Sequence, residues 1–354
     1  MKRKIRLGVL RCDTHAYWYA PFFAKCDCDR LRINDTACYN IFCSLADPHK
    51  LDIPWVPGFT IASCWDEDAE RAREFSETFL GTADVASSPD EMANKKIIDA
   101  AFIADCSGDG YDKLRLARPF IEKGIPVFVD KPFAHNFKGA RALVELAKKH
   151  RTPIMSASLL EYNTVAKQFA RRFDEIGDVG MIVVKGVGSV GLAGIIHGIA
   201  LVRNFFGDGV ESVQAMGNVP LHESATKELN AGGLPDFRAK RVPLNYIHMQ
   251  YANGKQGLVI NGPMDLFPGR CDFHATAHSK NGTLHSPAIG DPEFMGGGEV
   301  ILKLFRKTVQ TGKPVVAYDS ILEKIAIVDA ALLSQKRGRA VRLSEITGRT
   351  SSRG

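Results

Sequence analysis

Two residues carry the chemistry this chain can do. Lys131 stands in Asp130-Lys131-Pro132, at the end of the apolar run "IPVFV". A lysine between an acid and a proline, at the carboxyl end of a strand, faces a cleft. Its charge there can stabilise negative charge developing on an oxygen. His197 stands in "GIIHGIALVRNFF", a helical stretch. A neutral imidazole near pH 7 can take a proton from a hydroxyl. Each has a plainer reading beside it: a surface lysine in a turn, and a buried helix histidine satisfied by backbone.

A third feature opens the chain. "KIRLGVLRCDTHAYWYAPFF" (residues 4 to 23) reads as strand, tight turn and helix. Many such turns carry G-x-G-x-x-G, whose glycines allow the tight turn, close approach of a pyrophosphate and close helix packing. The corresponding positions here are Arg11, Asp13 and Ala16. Asp13 adds charge and bulk where a phosphate would come. The helix start still offers free N–H groups and a positive dipole end, and Arg11, Thr14 and His15 can contact phosphate directly. The alternative is that Asp13 and Thr14 only cap the helix, the protein's own carboxylate filling the anion position. Asp66 ends the second strand. An acid there accepts bonds from ribose hydroxyls and repels a 2′-phosphate, which favours NAD over NADP; it serves equally well as a cap for the next helix.

These residues need a scaffold, and the first half supplies one. Strand-like runs "IRLGVL", "FTIASCW", "AAFIA", "IPVFV" and "PIMSASLL" alternate with helical stretches, among them "YDKLRLARPFIEKG", stopped by Gly124. Repeated strand–helix units imply right-handed crossovers and a doubly wound parallel sheet, with ligands at the carboxyl ends of its strands. That rule singles out Arg11 to His15, Asp66, Asp105 to Asp109, and Asp130 to Pro132. Residues 27 to 57, rich in Asp, Pro, Asn and Cys, read as an irregular insertion. The second half reads as an α+β domain on a large, mostly antiparallel open sheet, with turn signals at Asn253-Gly254 and Asn281-Gly282. Helical stretches fall near 195–206 and 298–311, and from about 320 to 335. The expected division is a dinucleotide-binding Rossmann domain over 1–155, an α+β substrate and oligomerisation domain over 156–347, and a disordered tail over 348–354.

Composition narrows the class. With 354 residues, 45% hydrophobic and 24% charged, the chain is long enough for two packed cores. No apolar run approaches the roughly 20 residues of a membrane helix, and no signal-peptide segment follows the basic opening, so a cytoplasmic protein is expected. The net charge of +6 is spread along the chain with no basic patch interleaved with aromatics, so no nucleic-acid partner is expected. Eight cysteines lack paired CxxC spacing and read as reduced thiols. His274 and His278 alternate on one strand face, about 13 Å apart, too far for one metal ion; no metal site is expected.

By "GIPVFVDKPFAHN" the chain resembles the glucose–fructose oxidoreductase / inositol dehydrogenase / MocA (Gfo/Idh/MocA) family, with Asp130 in place of the Glu of its Glu-Lys-Pro motif. "GIIHGIALVRNFFGDGVESVQA" resembles that family's histidine helix, and "LFRKTVQTGKPVVAYDSILEKIAIVDAALLSQKRGRAVRL" its closing segment. "DTHAYWYAPFF" resembles a divergent branch with an Asp-Thr-Ser-His-like turn instead of glycines. The likeness covers roughly residues 4 to 345. It implies that Lys131, with Asp130, lies at the substrate hydroxyl and nicotinamide, and that Ser107 lies in the cofactor-facing loop. It also implies that Glu161 and Tyr162 contact substrate. The family's carboxylate beside the histidine is missing: the two positions hold Ala193 and Ala200. Glu161 or Tyr162 is the expected replacement. The implied protein is a homodimer or homotetramer that binds NAD or NADP. It oxidises or reduces a small sugar, cyclitol or related polyhydroxylated compound. The alternatives are a redox-neutral hydrolase or lyase with tightly held NAD, and a non-catalytic ligand-binding protein.

Overall fold

The computed structural model describes residues 3–105, 110–186, 192–217, 245–261 and 272–348. Six parallel strands form the first sheet: β1 (Ile5–Leu10), β2 (Phe59–Trp65), β3 (Asp84–Val85), β4 (Ala100–Ile103), β5 (Val127–Val129) and β6 (Ile154–Met155). Their order is β3-β2-β1-β4-β5-β6, that of a dinucleotide-binding sheet, whose strand order reverses beside β1. The central strands β4 and β5 are buried throughout, which is why they read as unbroken apolar runs rather than alternating ones.

Short helices connect these strands. The first is α1 (Thr14–Tyr19), after β1. Two more, α2 (Cys28–Asn34) and α3 (Thr36–Phe42), lie in the segment that the sequence presents as irregular. The Asp residues that look like loop formers there are N-caps: Asp27 accepts from the N–H groups of Asp29 and Arg30, and Asp35 from that of Cys38. The crossovers are completed by α4 (Ala69–Thr78), α5 (Pro89–Met92), α6 (Lys113–Glu122) and α7 (Phe137–Lys149).

Among the described residues the second sheet has seven strands: β7 (Met181–Lys185), β8 (Val210–Gly217), β9 (Asn245–Tyr251), β10 (Gln256–Asn261), β11 (His274–Ser279), β12 (Gly282–His285) and β13 (Val341–Arg342). Their order is β12-β11-β7-β10-β9-β8-β13. Every pairing is antiparallel except that of β7 with β10, so the sheet is mostly antiparallel, as the sequence implies. The remaining helices among the described residues are α8 (Thr164–Ala170), α9 (Leu192–Phe206), α10 (Asp291–Thr311), α11 (Tyr318–Arg337) and α12 (Leu343–Thr347).

The late helices do not stay with the second sheet. Phe305 of α10 packs its ring within 5.7–6.3 Å of Phe59, Phe102 and Phe128 on the first sheet. On α11, Asp329 accepts from the N–H of Phe137 at 2.8 Å, and the Tyr318 hydroxyl bonds the Ile154 N–H at 3.2 Å. These anchors tie α10 and α11 to the first sheet and to the start of α7. The six cysteines among the described residues form no disulfide. Within those residues no helix is long and apolar enough to cross a membrane. The expected tail lies outside the described residues from position 349 onward.

Candidate active site

The turn after β1 is built by its own polar groups. Arg11 holds a left-handed backbone, φ +66°, at the position a first glycine would occupy. A non-glycine residue there bears roughly 1–2 kcal/mol of strain, so the neighbourhood must hold it. It does: the Arg11 N–H bonds the Trp65 carbonyl at 2.9 Å, and its guanidinium pairs with Asp112 and with Glu67 at 3.1 Å. Asp66 is buried and bridges the loops. Its carboxylate accepts from the N–H of Cys12 at 2.8 Å and of Asp68 at 3.0 Å. The cap of α4 is therefore Asp68, while Asp66 ties the end of β2 to the turn. Asp13 is the N-cap of α1, taking the N–H of His15 at 3.0 Å. Thr14 is exposed at the first position of the helix.

His15 reaches across the strand ends. Its Nδ1 pairs with the carboxylate of Asp130, which is buried. Lys131 follows, also buried, with a cis peptide bond to Pro132. The backbone after it is pressed against the loop that follows β4. Gly110 has φ +68°, and a Cβ there would stand 2.7 Å from the carbonyl carbon of Ala134, so only glycine permits this approach. Ser107 lies outside the described residues, with the rest of 106–109.

His197 arrives from the other side, on α9. The next residue, Gly198, lets α9 lie against β10: a Cβ would meet Val259 at 2.4 Å. The His197 ring lies about 6 Å from the rings of Phe273 and Phe294, and its Nδ1 shares a 2.8 Å hydrogen bond with the hydroxyl of Ser158. Burial, then the positive Lys131 and then His15, hold the imidazole well below its ordinary pKa, so it is neutral at pH 7. Lys131, Ser158 and Ile196 line one small cavity with Lys324 of α11.

Glu161 and Tyr162 stand beside this centre in different ways. The Glu161 carboxylate accepts the N–H of Ser158 at 2.8 Å, pairs with Lys324 at 2.5 Å, and lies 3.6 Å from buried Arg203. It braces the loop that carries Ser158 and does not itself orient His197. Tyr162 is half-buried under Lys167, whose ammonium lies 5.5 Å from its ring, and burial pushes its phenol up to about 12. Ser158 and Lys324 are absent from the sequence reading. A serine in "PIMSASLL" carries no signal, and Lys324 is brought in only by the packing of the last long helix.

The turn suits a dinucleotide in its backbone and resists it in one side chain. Arg11 keeps the first-glycine conformation, and Ala16, 1% exposed, allows the close helix packing of the third. Arg11 Nε is buried with no hydrogen-bond partner among the described residues, a donor left over for an anion. Against this stands the Asp13 carboxylate. With Arg11 and His15 at one end and Lys131 and His197 at the other, the donor set fits a pyrophosphate and a nicotinamide.

Residues 48–158 match the sequence profile of GFO_IDH_MocA, "Oxidoreductase family, NAD-binding Rossmann fold". The matched stretch begins beyond the turn at Arg11–Ala16. A curated relative is scyllo-inositol 2-dehydrogenase (NADP(+)) IolU of Bacillus subtilis, 27% identical over 124 residues, covering 35% of this chain and 37% of the relative. The match therefore spans little more than a third of that relative's length. Two solved structures share the fold along nearly the whole chain. Scyllo-inositol dehydrogenase of Lactobacillus casei, solved with NAD(H) and scyllo-inositol, has a TM-score of 0.67 at 14% identity, over 97% of this chain and 100% of that one. Myo-inositol dehydrogenase of Corynebacterium glutamicum has 0.66 at 16% identity, over 96% and 99%. Residues 48–158 thus resemble the NAD-binding domain of the Gfo/Idh/MocA oxidoreductase family, and the fold along nearly the whole chain is that of the inositol dehydrogenases named above.

Proposed function

We propose that this protein is an NAD(P)-dependent oxidoreductase that moves hydride between a nicotinamide and a CH–OH carbon of a sugar, cyclitol or related polyhydroxylated compound. The observation that carries this reading is the convergence of Lys131 and a neutral, hydrogen-bonded His197 beside the carboxyl ends of β5 and β6. Their family setting and the inositol dehydrogenases that share the fold support the substrate class.

The nicotinamide, when bound, supplies the hydride acceptor or donor. The chain supplies the rest. Lys131 sets its ammonium toward the reacting oxygen and stabilises developing alkoxide charge. His197 takes the hydroxyl proton at Nε2, since Nδ1 is committed to Ser158. Arg11, Thr14 and His15 meet the pyrophosphate, and Asp130 holds His15 in place. Asp66 with its neighbours Glu67 and Asp68 makes the ribose end acidic, which favours NAD over NADP. Ser107 belongs to the cofactor-facing loop, and Tyr162 with Glu161 borders the substrate. The outer face of the second sheet carries half-buried Val183, Tyr246, Leu258 and Ile260, the face on which a homodimer or homotetramer would form.

Calorimetric titration of cofactor-stripped protein with NAD, NADH, NADP and NADPH tests the reading. Saturable binding, tighter for the NAD pair, is expected, followed by reduction of that nucleotide with a polyol panel. One observation favours the non-catalytic alternative: the Asp13 carboxylate already takes the His15 N–H at the start of α1. Absence of binding by all four nucleotides would establish that alternative and end the oxidoreductase reading.

A further inference from the structure

We infer that Ser158 is the positioning residue of this centre: its hydroxyl fixes the His197 ring through Nδ1 and reserves Nε2 for the substrate proton. The inference deepens the oxidoreductase reading and rests on it for the word substrate. The geometry itself does not.

Ser158 is buried, 1% exposed, and its Oγ lies 2.8 Å from His197 Nδ1. The hydroxyl is held from two sides. Its oxygen accepts the N–H of Leu160 at 3.3 Å, and the backbone N–H of Ser158 donates to Glu161 at 2.8 Å in a capping box. Glu161 is in turn fixed by Lys324 at 2.5 Å and by Arg203. A line of polar contacts thus runs from two buried cations on α9 and α11, through one carboxylate, to the serine that meets the ring. The serine occupies the role for which sequence reasoning sought a carboxylate at position 193 or 200.

A hydroxyl does this work differently from a carboxylate. It has one hydrogen to give and a lone pair to spare after Leu160. With Nδ1 protonated, Oγ accepts that hydrogen and Nε2 presents its lone pair to the substrate. Once Nε2 has taken the proton, the same Oγ still accepts from Nδ1. The ring is therefore held through the transfer without turning. A carboxylate would do the same but add a negative charge that stabilises the imidazolium. The charged groups that face His197 are instead Lys131, after β5, and His15, on α1, and the ring packs beside Phe273 and Phe294. All of these favour the neutral base.

The test is nitrogen-15 NMR of the histidine side chains in the full-length protein, with neither cofactor nor substrate, across the pH range where an ordinary imidazole near pKa 6.5 titrates. Wild type should show a neutral His197 with one tautomer dominant. Ser158→Ala should give mixed tautomers, and Ser158→Thr, which keeps the hydroxyl, should restore the wild-type pattern. Ser158→Asp should move the titration upward. In turnover, Ser158→Ala should lower kcat by roughly tenfold or more with KM held, as misplacement of a reacting group does. Ring-nitrogen shifts in Ser158→Ala identical to wild type would overturn the inference. Should Ser158→Ala not fold, an unmoved titration in Ser158→Asp would overturn it equally. A lack of nucleotide binding would sink the oxidoreductase reading and leave the tautomer result standing.

Discussion

At the turn after β1, most polar groups are answered by the chain itself, Arg11 Nε being the exception among them. Asp13 caps α1, Asp66 bridges Cys12 and Asp68, and Arg11 is gripped by Asp112 and Glu67. At the centre between β5 and α9 the arrangement is reversed. A lysine and a histidine are both buried there, the lysine lining a small cavity with Ser158, and Ser158 meets one ring nitrogen of the histidine. The turn reads as architecture; the centre reads as chemistry. The family profile, which matches residues 48–158, includes Lys131 and excludes both the turn and His197.

The largest effect should fall on the centre. Lys131→Met and His197→Asn should each lower kcat by about 10²- to 10⁴-fold, the usual worth of a positioned acid–base group. Steady-state rates with the nucleotide found by calorimetry check this. Retained turnover in both would place the chemistry elsewhere and erase the contrast with the turn.

The next effect concerns what stands behind the centre. Arg203 is buried among Glu161 at 3.6 Å, Glu323 at 3.5 Å and Asp208. Arg203→Met would leave the largely buried Glu323 without its cation, and breaking a buried pair in this way costs about 3–5 kcal/mol. Urea unfolding should show a midpoint lowered accordingly. A change below about 1 kcal/mol would mean that the Ser158 loop is braced by something other than this network.

These contacts also measure how far the sequence could be read. The parallel sheet was legible because its strands are buried on both faces and leave continuous apolar runs; Lys131 was legible because a motif surrounds it. The groups that orient His197 were not. They come from a loop after β6 and a helix more than 120 residues later, and no local pattern links Ser158 to Lys324. The helices at Cys28–Asn34 and Thr36–Phe42 were hidden for another reason: Asp serves as turn former and as N-cap alike. At the turn, the missing glycine was visible, but not that Arg11 would keep its φ of +66°.

A smaller effect sharpens the difference in protonation. Burial and the charge of Lys131 hold the His197 pKa below its unfolded value. Below about pH 6.5 the unfolded chain therefore binds a proton that the folded chain refuses. Stability should fall with decreasing pH in that window by about 1.4 kcal/mol per unit for this one site. It should be flatter by that slope in His197→Asn. Parallel curves for the two proteins, from urea unfolding at several pH values, would mean that the ring is protonated in the folded state and is no ready base.

The smallest effect tests the turn directly. Asp13→Ser keeps a capping oxygen, so its stability should stay within a few tenths of a kcal/mol of wild type. It also removes a negative charge at the start of α1, beside the expected pyrophosphate. If the cofactor does approach α1, the Kd for NAD should drop several-fold, and more at low ionic strength, where such charges are less screened. An unchanged Kd with unchanged stability would mean that the nucleotide passes Asp13 at a distance and is held by Arg11 and the loops after β4 and β5. The turn would then be architecture alone, and the loss of its glycines would no longer bear on whether the chain keeps its cofactor.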